Sequence, residues 1–147
     1  MEVRRYHGNI LSSTAEVIAH QANCLGKMDA GIDQEIRDKC PEAFPPYAAA
    51  CRKGNMLGEC QMVKTKSGLY IANLFWQYGA KTDYTALKGA LKSLLVQMQE
   101  MRLHTVAFPY CMGAGQNRRE WTYIYSLIHD TFARMGVVIE IWAENGF

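Results

Sequence analysis

Twice in this chain an apolar, strand-like run leads through a glycine-bearing loop into a helix, and no other feature restricts the fold as much. Val17–Ala22 precedes the loop Cys24–Gly31, after which Ile32, Ile36 and Cys40 recur on one helical face that Pro41 ends. Thr105–Pro109 precedes a loop carrying Gly113-Ala114-Gly115, after which Trp121, Ile124, Ile128, Phe132 and Met135 mark a helix stopped at Gly136. Units of this kind pack as parallel strands covered by helices. Their ligands bind at the carboxyl ends of the strands. A glycine loop opening a helix offers backbone N–H groups to phosphate. Two such loops in one small domain suggest a diphosphate or nucleotide.

The remaining segments fit this frame. Val3–Tyr6 reads as a short strand closed by a Gly8-Asn9 turn. Pro45-Pro46 opens a short helix through Ala48–Arg52, with Gly54 placed to cap it. Cys60–Thr65 and Leu69–Phe75 flank Lys66-Ser67-Gly68 as a hairpin. Tyr84, Leu87, Leu91, Leu94, Leu95 and Met98 form one stripe of a helix from Asp83 to about Met101, and Val137–Trp142 closes as a strand. The expectation is an α/β/α sandwich around a mixed, mostly parallel sheet, with residues 1–147 as one domain.

Composition narrows the function classes. Hydrophobic residues make up 49% and charged residues 20%, enough to build a core without metal or disulfide staples. Sixteen basic residues against fourteen acidic ones leave +2, which demands no polyanionic partner such as duplex DNA. No apolar run approaches the roughly 20 residues that cross a bilayer, so no membrane partner is expected. The five scattered cysteines suggest a reduced, cytoplasmic protein. Cys51 and Cys60 lack a neighbouring histidine, so no metal and no cofactor are expected. Cys111 and Arg118 are mis-spaced for a cysteine-phosphatase loop. Gly113-Ala114-Gly115 lacks the third glycine of a dinucleotide fingerprint that Glu140 would complete.

Five stretches resemble the macrodomain family in the same order along the chain. They are Gly8-Asn9-Ile10; Ile18-Ala19-His20-Gln21-Ala22-Asn23 through Gly26, Met28, Gly31 and Ile32; Ile71-Ala72-Asn73-Leu74-Phe75 to Gly79; Thr82-Asp83-Tyr84 to Leu87; and Phe108-Pro109-Tyr110 through Gly115 to Trp121. The likeness is to the small bacterial and phage macrodomains near the ADP-ribose 1″-phosphate phosphatases and the terminal ADP-ribose glycohydrolases. It implies a cleft for ADP-ribose or an ADP-ribose derivative, including ADP-ribosylated protein or nucleic acid.

The same resemblance assigns roles. Asn9, with Ile10, stands where the family places an acidic residue for the adenine amino group. Gly26 to Ile32, with Met28 and Gly31, would wrap the diphosphate, and Asn23 would bond a distal ribose hydroxyl. Gly113, Ala114, Gly115, Gln116, Asn117 and Arg118 would form the second phosphate loop, with Tyr110 or Phe75 near adenine or ribose. A positioned water would hydrolyse a group on the distal ribose, with His20 and either Asp83 or Glu120 handling protons. A reader that binds without turnover is the alternative. The lysine–aspartate pair of the glycohydrolase relatives is missing, because Phe75 and Asn117 occupy those positions and only Lys81 lies nearby.

Each candidate also has a structural reading. His20 suits a satisfied core histidine, Asn23 a turn residue and Asp83 a helix N-cap. Asn117 with Glu120 makes a capping-box pattern. Arg118-Arg119 in a first helical turn opposes the helix dipole unless an anion binds there, whereas Asp29 puts negative charge beside the diphosphate loop.

Overall fold

The computed structural model describes Met1–Phe147. In chain order the strands are β1 (Glu2–His7), β2 (Val17–Asn23), β3 (Cys60–Lys64), β4 (Tyr70–Tyr78), β5 (Lys81–Thr82), β6 (Thr105–Pro109) and β7 (Val138–Ala143). The helices are α1 (Gly31–Lys39), α2 (Phe44–Lys53), α3 (Tyr84–Met101) and α4 (Arg118–Phe132). All strands join one sheet in the order β1-β7-β6-β2-β4-β3, with β5 hydrogen-bonded to β4. The pairs β1–β7, β7–β6, β6–β2 and β2–β4 are parallel, and β3 and β5 run antiparallel to β4. The expected sandwich with a mixed, mostly parallel sheet is present.

Alternation along the strands sorts two apolar layers. Val17 and Ala19 of β2, Leu74 and Trp76 of β4, and Phe108 of β6 pack with Leu87, Leu91 and Leu94 of α3 and with Ile124, Ile128 and Phe132 of α4. On the opposite face Ile18, Ala22, Ile71 and Phe75 pack with Ile36 of α1 and Tyr47 of α2. Both faces are therefore covered, which is why the inner strands are buried almost throughout.

Helix limits follow local chemistry. Asp83 caps α3, accepting the Ala86 N–H at 3.0 Å. Asn117 caps α4, accepting from Arg119 and Glu120 N–H at 3.0 and 3.1 Å. Gly54, at φ +86°, ends α2 as expected. Two limits and one element differ from the sequence reading. α4 ends at Phe132, short of Met135, and β4 continues to Tyr78 before turning at Gly79 into β5, which was not foreseen. A two-residue strand carries too short a pattern to be read. No helix is long and apolar enough to cross a membrane.

Candidate functional site

Strands β1, β7, β6 and β2 run in one direction, so the turns after them gather at one end of the sheet. Two adjoining cavities lie there, of about 590 and 790 Å³. They share Gly31 and Ile32 at the start of α1, Pro109 at the end of β6, and Tyr110, Cys111 and Gly115 after it, so they form two lobes of one cleft.

The first lobe is lined by Asn9, Ile10, Glu35, Gln116, Arg118 and Phe147, among others. Asn9 caps a single 3-10 turn, Ile10–Ser12, its Oδ1 accepting from the Leu11 N–H at 2.9 Å. Its Nδ2 reaches Glu35 Oε2 at 3.5 Å. The Asn9 carbonyl, expected to receive an adenine amino group, is thus already engaged by backbone. Tyr110 stands edge-on to Trp121, with centroids 5.4 Å apart, and tilts against Phe147 at 4.9 Å. These contacts give the lobe an aromatic wall, with a carboxylate supplied by α1 through Glu35.

The second lobe is lined by Gln21, Asn23, Lys27, Asp29, Asp33 and Gly113, among others. Asn23 Nδ2 donates to the Gly79 carbonyl, and its Oδ1 accepts from the N–H groups of Gly79 and Leu25. The Tyr47 hydroxyl has one hydrogen to donate and lies within reach of two carbonyls, that of Asn23, which is the nearer, and that of Lys27, and so it holds the loop beneath the lobe. Burial is the first reason that the Tyr47 phenol is pushed far above its ordinary range, and the neighbouring Cys51 adds to it. That phenol therefore remains a donor at any physiological pH. Ala30 provides no side-chain cap to α1, so the first N–H groups of that helix open where the lobes meet. Across from them, Gly113 has φ +73°, and a Cβ there would lie 2.3 Å from the Trp76 ring. Only glycine lets the loop lie so close to the sheet. Gln21 Nε2 is buried in this wall without a hydrogen-bond partner.

Three proton-handling candidates were expected, and the structure corrects their grouping. His20 is fully buried on the α1 side of β2, next to Ile18 and Ala22 in the alternation, while Asp83 and Glu120 belong to α3 and α4 on the other face. Asp83 serves as an N-cap. Glu120 is exposed and accepts from the Tyr84 hydroxyl at 2.9 Å. Burial above all, and then Glu120, raises that phenol. Neither carboxylate lines the cleft or meets His20. Both ring nitrogens of His20 are instead bonded, Nδ1 to Asp33 Oδ1 at 2.8 Å and Nε2 to Asn73 Oδ1 at 2.5 Å.

Other expectations divide similarly. Ile10, Gly31, Ile32, Tyr110, Gly113, Gly115, Gln116 and Arg118 line the cleft. Met28 does not, because its side chain is buried in the α1–α2 layer. Ala114 is buried in the α3–α4 layer, and Phe75 stacks on Tyr47 with centroids 5.9 Å apart, far from any ligand role. Gly26 packs against Cys51, and Asn117 is engaged as a cap. Glu120 does not close the reciprocal half of the capping box, since the Asn117 N–H bonds Ala114 instead. Asp29 is exposed, lines the second lobe and does not cap α1. No group of three or more His, Cys, Asp or Glu side chains is arranged to hold a metal ion.

Asp33, Glu35 and Gln21 were missed. A signal for Asp33 was present: it shares the core-facing stripe of α1 with Ile36 and Cys40, opposite a strand that buries a histidine. A buried imidazole requires partners, and an acid on the facing stripe is the nearest supply.

The model for the family described as Macro domain matches residues 19–127. Among curated proteins, the DNA ADP-ribosyl glycohydrolase of Thermus aquaticus is 25% identical over 95% of this chain and 40% of its own length. That of Mycobacterium tuberculosis is 25% identical over 87% of this chain and 38% of its own length. The chain thus spans well under half of these relatives. Among solved structures, the macrodomain of Thermus aquaticus DarG superposes with a TM-score of 0.82 at 23% identity, covering 97% of both chains. Thermosipho africanus DarTG in complex with ADP-ribose gives 0.83 at 15% identity, covering 98% of this chain and 42% of the other. With the model spanning most of its length and the sheet order and cleft in place, the chain belongs to the Macro domain family.

Proposed function

We propose that residues 1–147 form one macrodomain that binds ADP-ribose across both lobes and releases it by hydrolysis from a macromolecule, with ADP-ribosylated DNA as the leading substrate. The observation that carries this reading is the sharing of Gly31, Ile32, Tyr110 and Gly115 between two lobes of different chemistry. The aromatic first lobe suits a base, with Glu35 to accept its amino group. The open start of α1 and the Gly113–Gly115 loop suit a diphosphate. The second lobe offers one remaining Asn23 amide hydrogen to a ribose hydroxyl. DNA is preferred because the two curated relatives above carry that substrate in their names. A reducing, cytoplasmic setting suits the five free thiols.

A reader without turnover is the second reading. It is favoured by burial of Phe75 and by the capping role of Asn117, which leave no lysine–aspartate pair at the site. Incubation with an ADP-ribosylated single-stranded oligonucleotide, an ADP-ribosylated protein and ADP-ribose 1″-phosphate separates the two. Release of ADP-ribose from the oligonucleotide is the expected result. Binding of all three without product assigns the reader.

A further inference from the structure

Asn23, Leu25 and Gln77 line the second lobe and not the first, so they mark its end away from the shared residues. Their neighbours in sequence, Cys24 and Tyr78, line a further cavity of about 350 Å³ instead, together with Cys51, Asn55, Met56 and Leu57. The ridge between the two spaces is made by the ends of β2 and β4. It is held by the Cys24 N–H, which donates to the Gln77 carbonyl at 2.9 Å, and by the bonds between Asn23 and Gly79. With a base in the first lobe and the far ribose in the second, a group carried on that ribose meets this ridge.

The ridge is apolar, and its surroundings are cationic. Three of the six exposed large hydrophobic side chains gather here, Leu25, Leu57 and Tyr78, at 48, 43 and 62% exposure. The other three, Val96, Met101 and Tyr123, belong to α3 and α4. Leu25 stands against the turn that follows Tyr78, since a Cβ on Gly79 would lie 3.9 Å from Leu25 Cδ1. No residue lining the further cavity carries a formal charge, and burial raises the Cys24 and Cys51 thiols, which keeps both neutral at physiological pH. Lys81 is the Cα partner of Tyr78 in the antiparallel β4–β5 pair, so the two side chains leave the same face of that ribbon. Arg52 and Lys53 close α2 just before Gly54 of the cavity, and Lys27 lines the second lobe. None of these four cations takes part in an ion pair.

An exposed aromatic ring beside an uncharged cavity, flanked by cations that lack counter-ions, has the chemistry that takes a single nucleic-acid strand. Bases stack on the ring while backbone phosphates meet the cations. We propose that this ridge and cavity form a subsite for single-stranded DNA that carries the ADP-ribose. A base of the strand stacks on Tyr78, with Leu25 and Leu57 beside it, and the adjoining phosphates lie against Lys81 and Lys27. The proposal deepens the reading of the cleft and rests on it, adding contacts to the strand that the two lobes do not supply.

The test follows the fluorescence anisotropy of an ADP-ribosylated single-stranded oligonucleotide, at mixing times short against any release, beside calorimetry with free ADP-ribose. The wild type should hold the oligonucleotide about tenfold or more tighter than free ADP-ribose. Tyr78→Ala should lose about tenfold of the oligonucleotide affinity and Tyr78→Phe should keep it, while ADP-ribose affinity stays within about twofold in both, which also shows that the variants fold. Lys81→Gln should reduce the slope of log affinity against log salt by about 0.7, the share of one phosphate contact on a single strand. An ADP-ribosylated acidic peptide should bind Tyr78→Ala as well as it binds the wild type. Wild-type oligonucleotide affinity in Tyr78→Ala, a wild-type salt slope in Lys81→Gln, or an equal loss for the peptide overturns the proposal. A wild-type protein that does not bind free ADP-ribose overturns the reading of the cleft itself, and the subsite falls with it.

Discussion

The carboxamide of Asn23 bridges both backbone polar groups of Gly79, its Nδ2 donating to the carbonyl and its Oδ1 accepting from the N–H, each at 3.0 Å. This clamp ties the end of β2 to the turn after β4 and so shapes the far wall of the second lobe. Asn23→Asp would place a carboxylate oxygen against the Gly79 carbonyl and leave it without a donor. A buried polar group left in this way costs about 1–3 kcal/mol. Urea denaturation should show a loss in that range, with weaker ADP-ribose binding. Wild-type values for both would mean that the clamp is dispensable.

Asp83 and Glu120 should behave as structural residues. Removing an N-cap costs about 0.5–2 kcal/mol, whereas asparagine caps as well as aspartate. Asp83→Ala should therefore lower stability by that amount, Asp83→Asn should restore it, and neither should alter the turnover of a folded sample. Glu120→Ala should likewise leave turnover unchanged. A loss of turnover in Asp83→Asn, with stability intact, would reinstate Asp83 as a proton-handling group.

Arg118 and Arg119 are adjacent but not equivalent, because Arg118 lines the first lobe and Arg119 does not. Hydrogen bonds to charged groups contribute about 1.5–3 kcal/mol. Arg118→Ala should weaken ADP-ribose binding about tenfold or more and flatten its salt dependence, while Arg119→Ala should stay within about twofold. Calorimetry at low and high salt reads both, and equal effects at the two positions would remove Arg118 from the ligand site.

Alkaline pH should destabilise the fold through its buried thiols. Cys60 is pushed up to about 12 from a usual value near 9, first by burial and then by the charge of Glu59. The folded state then holds a proton that the unfolded chain releases, so this contribution is intact below pH 9 and declines as pH rises from 9 toward 12. Burial raises Cys24, Cys40 and Cys51 in the same direction. Unfolding free energy from urea titrations between pH 7.5 and 10.5 should fall along that window, and Cys60→Ala should make the slope shallower. An unchanged slope in Cys60→Ala would show that its thiol does not titrate differently on folding.

The sheet and its helices were legible because their signals are local. Apolar runs of strand length, the stripe of Leu87, Leu91 and Leu94, and caps at Asp83 and Asn117 depend on near neighbours in sequence. The ligand-facing backbone was legible too, since glycines at Gly31, Gly113 and Gly115 mark where the chain must turn tightly. The spatial grouping of the proton-handling candidates was not legible, because it depends on which face of β2 each side chain takes. His20 and Asp83 could be paired on paper, yet alternation along β2 sends His20 toward α1, away from α3. The clamp made by Asn23 was not legible for a related reason, since its partner Gly79 lies in the turn before a strand too short to foresee.

Isothermal titration of the purified protein with ADP-ribose, with AMP as comparator, tests the two-lobed cleft most directly. One ligand spanning both lobes predicts saturable ADP-ribose binding well tighter than AMP, because AMP leaves Gln21, Asn23 and Asp33 without contact. Equal affinity for the two, or no saturable heat from ADP-ribose, would contradict it.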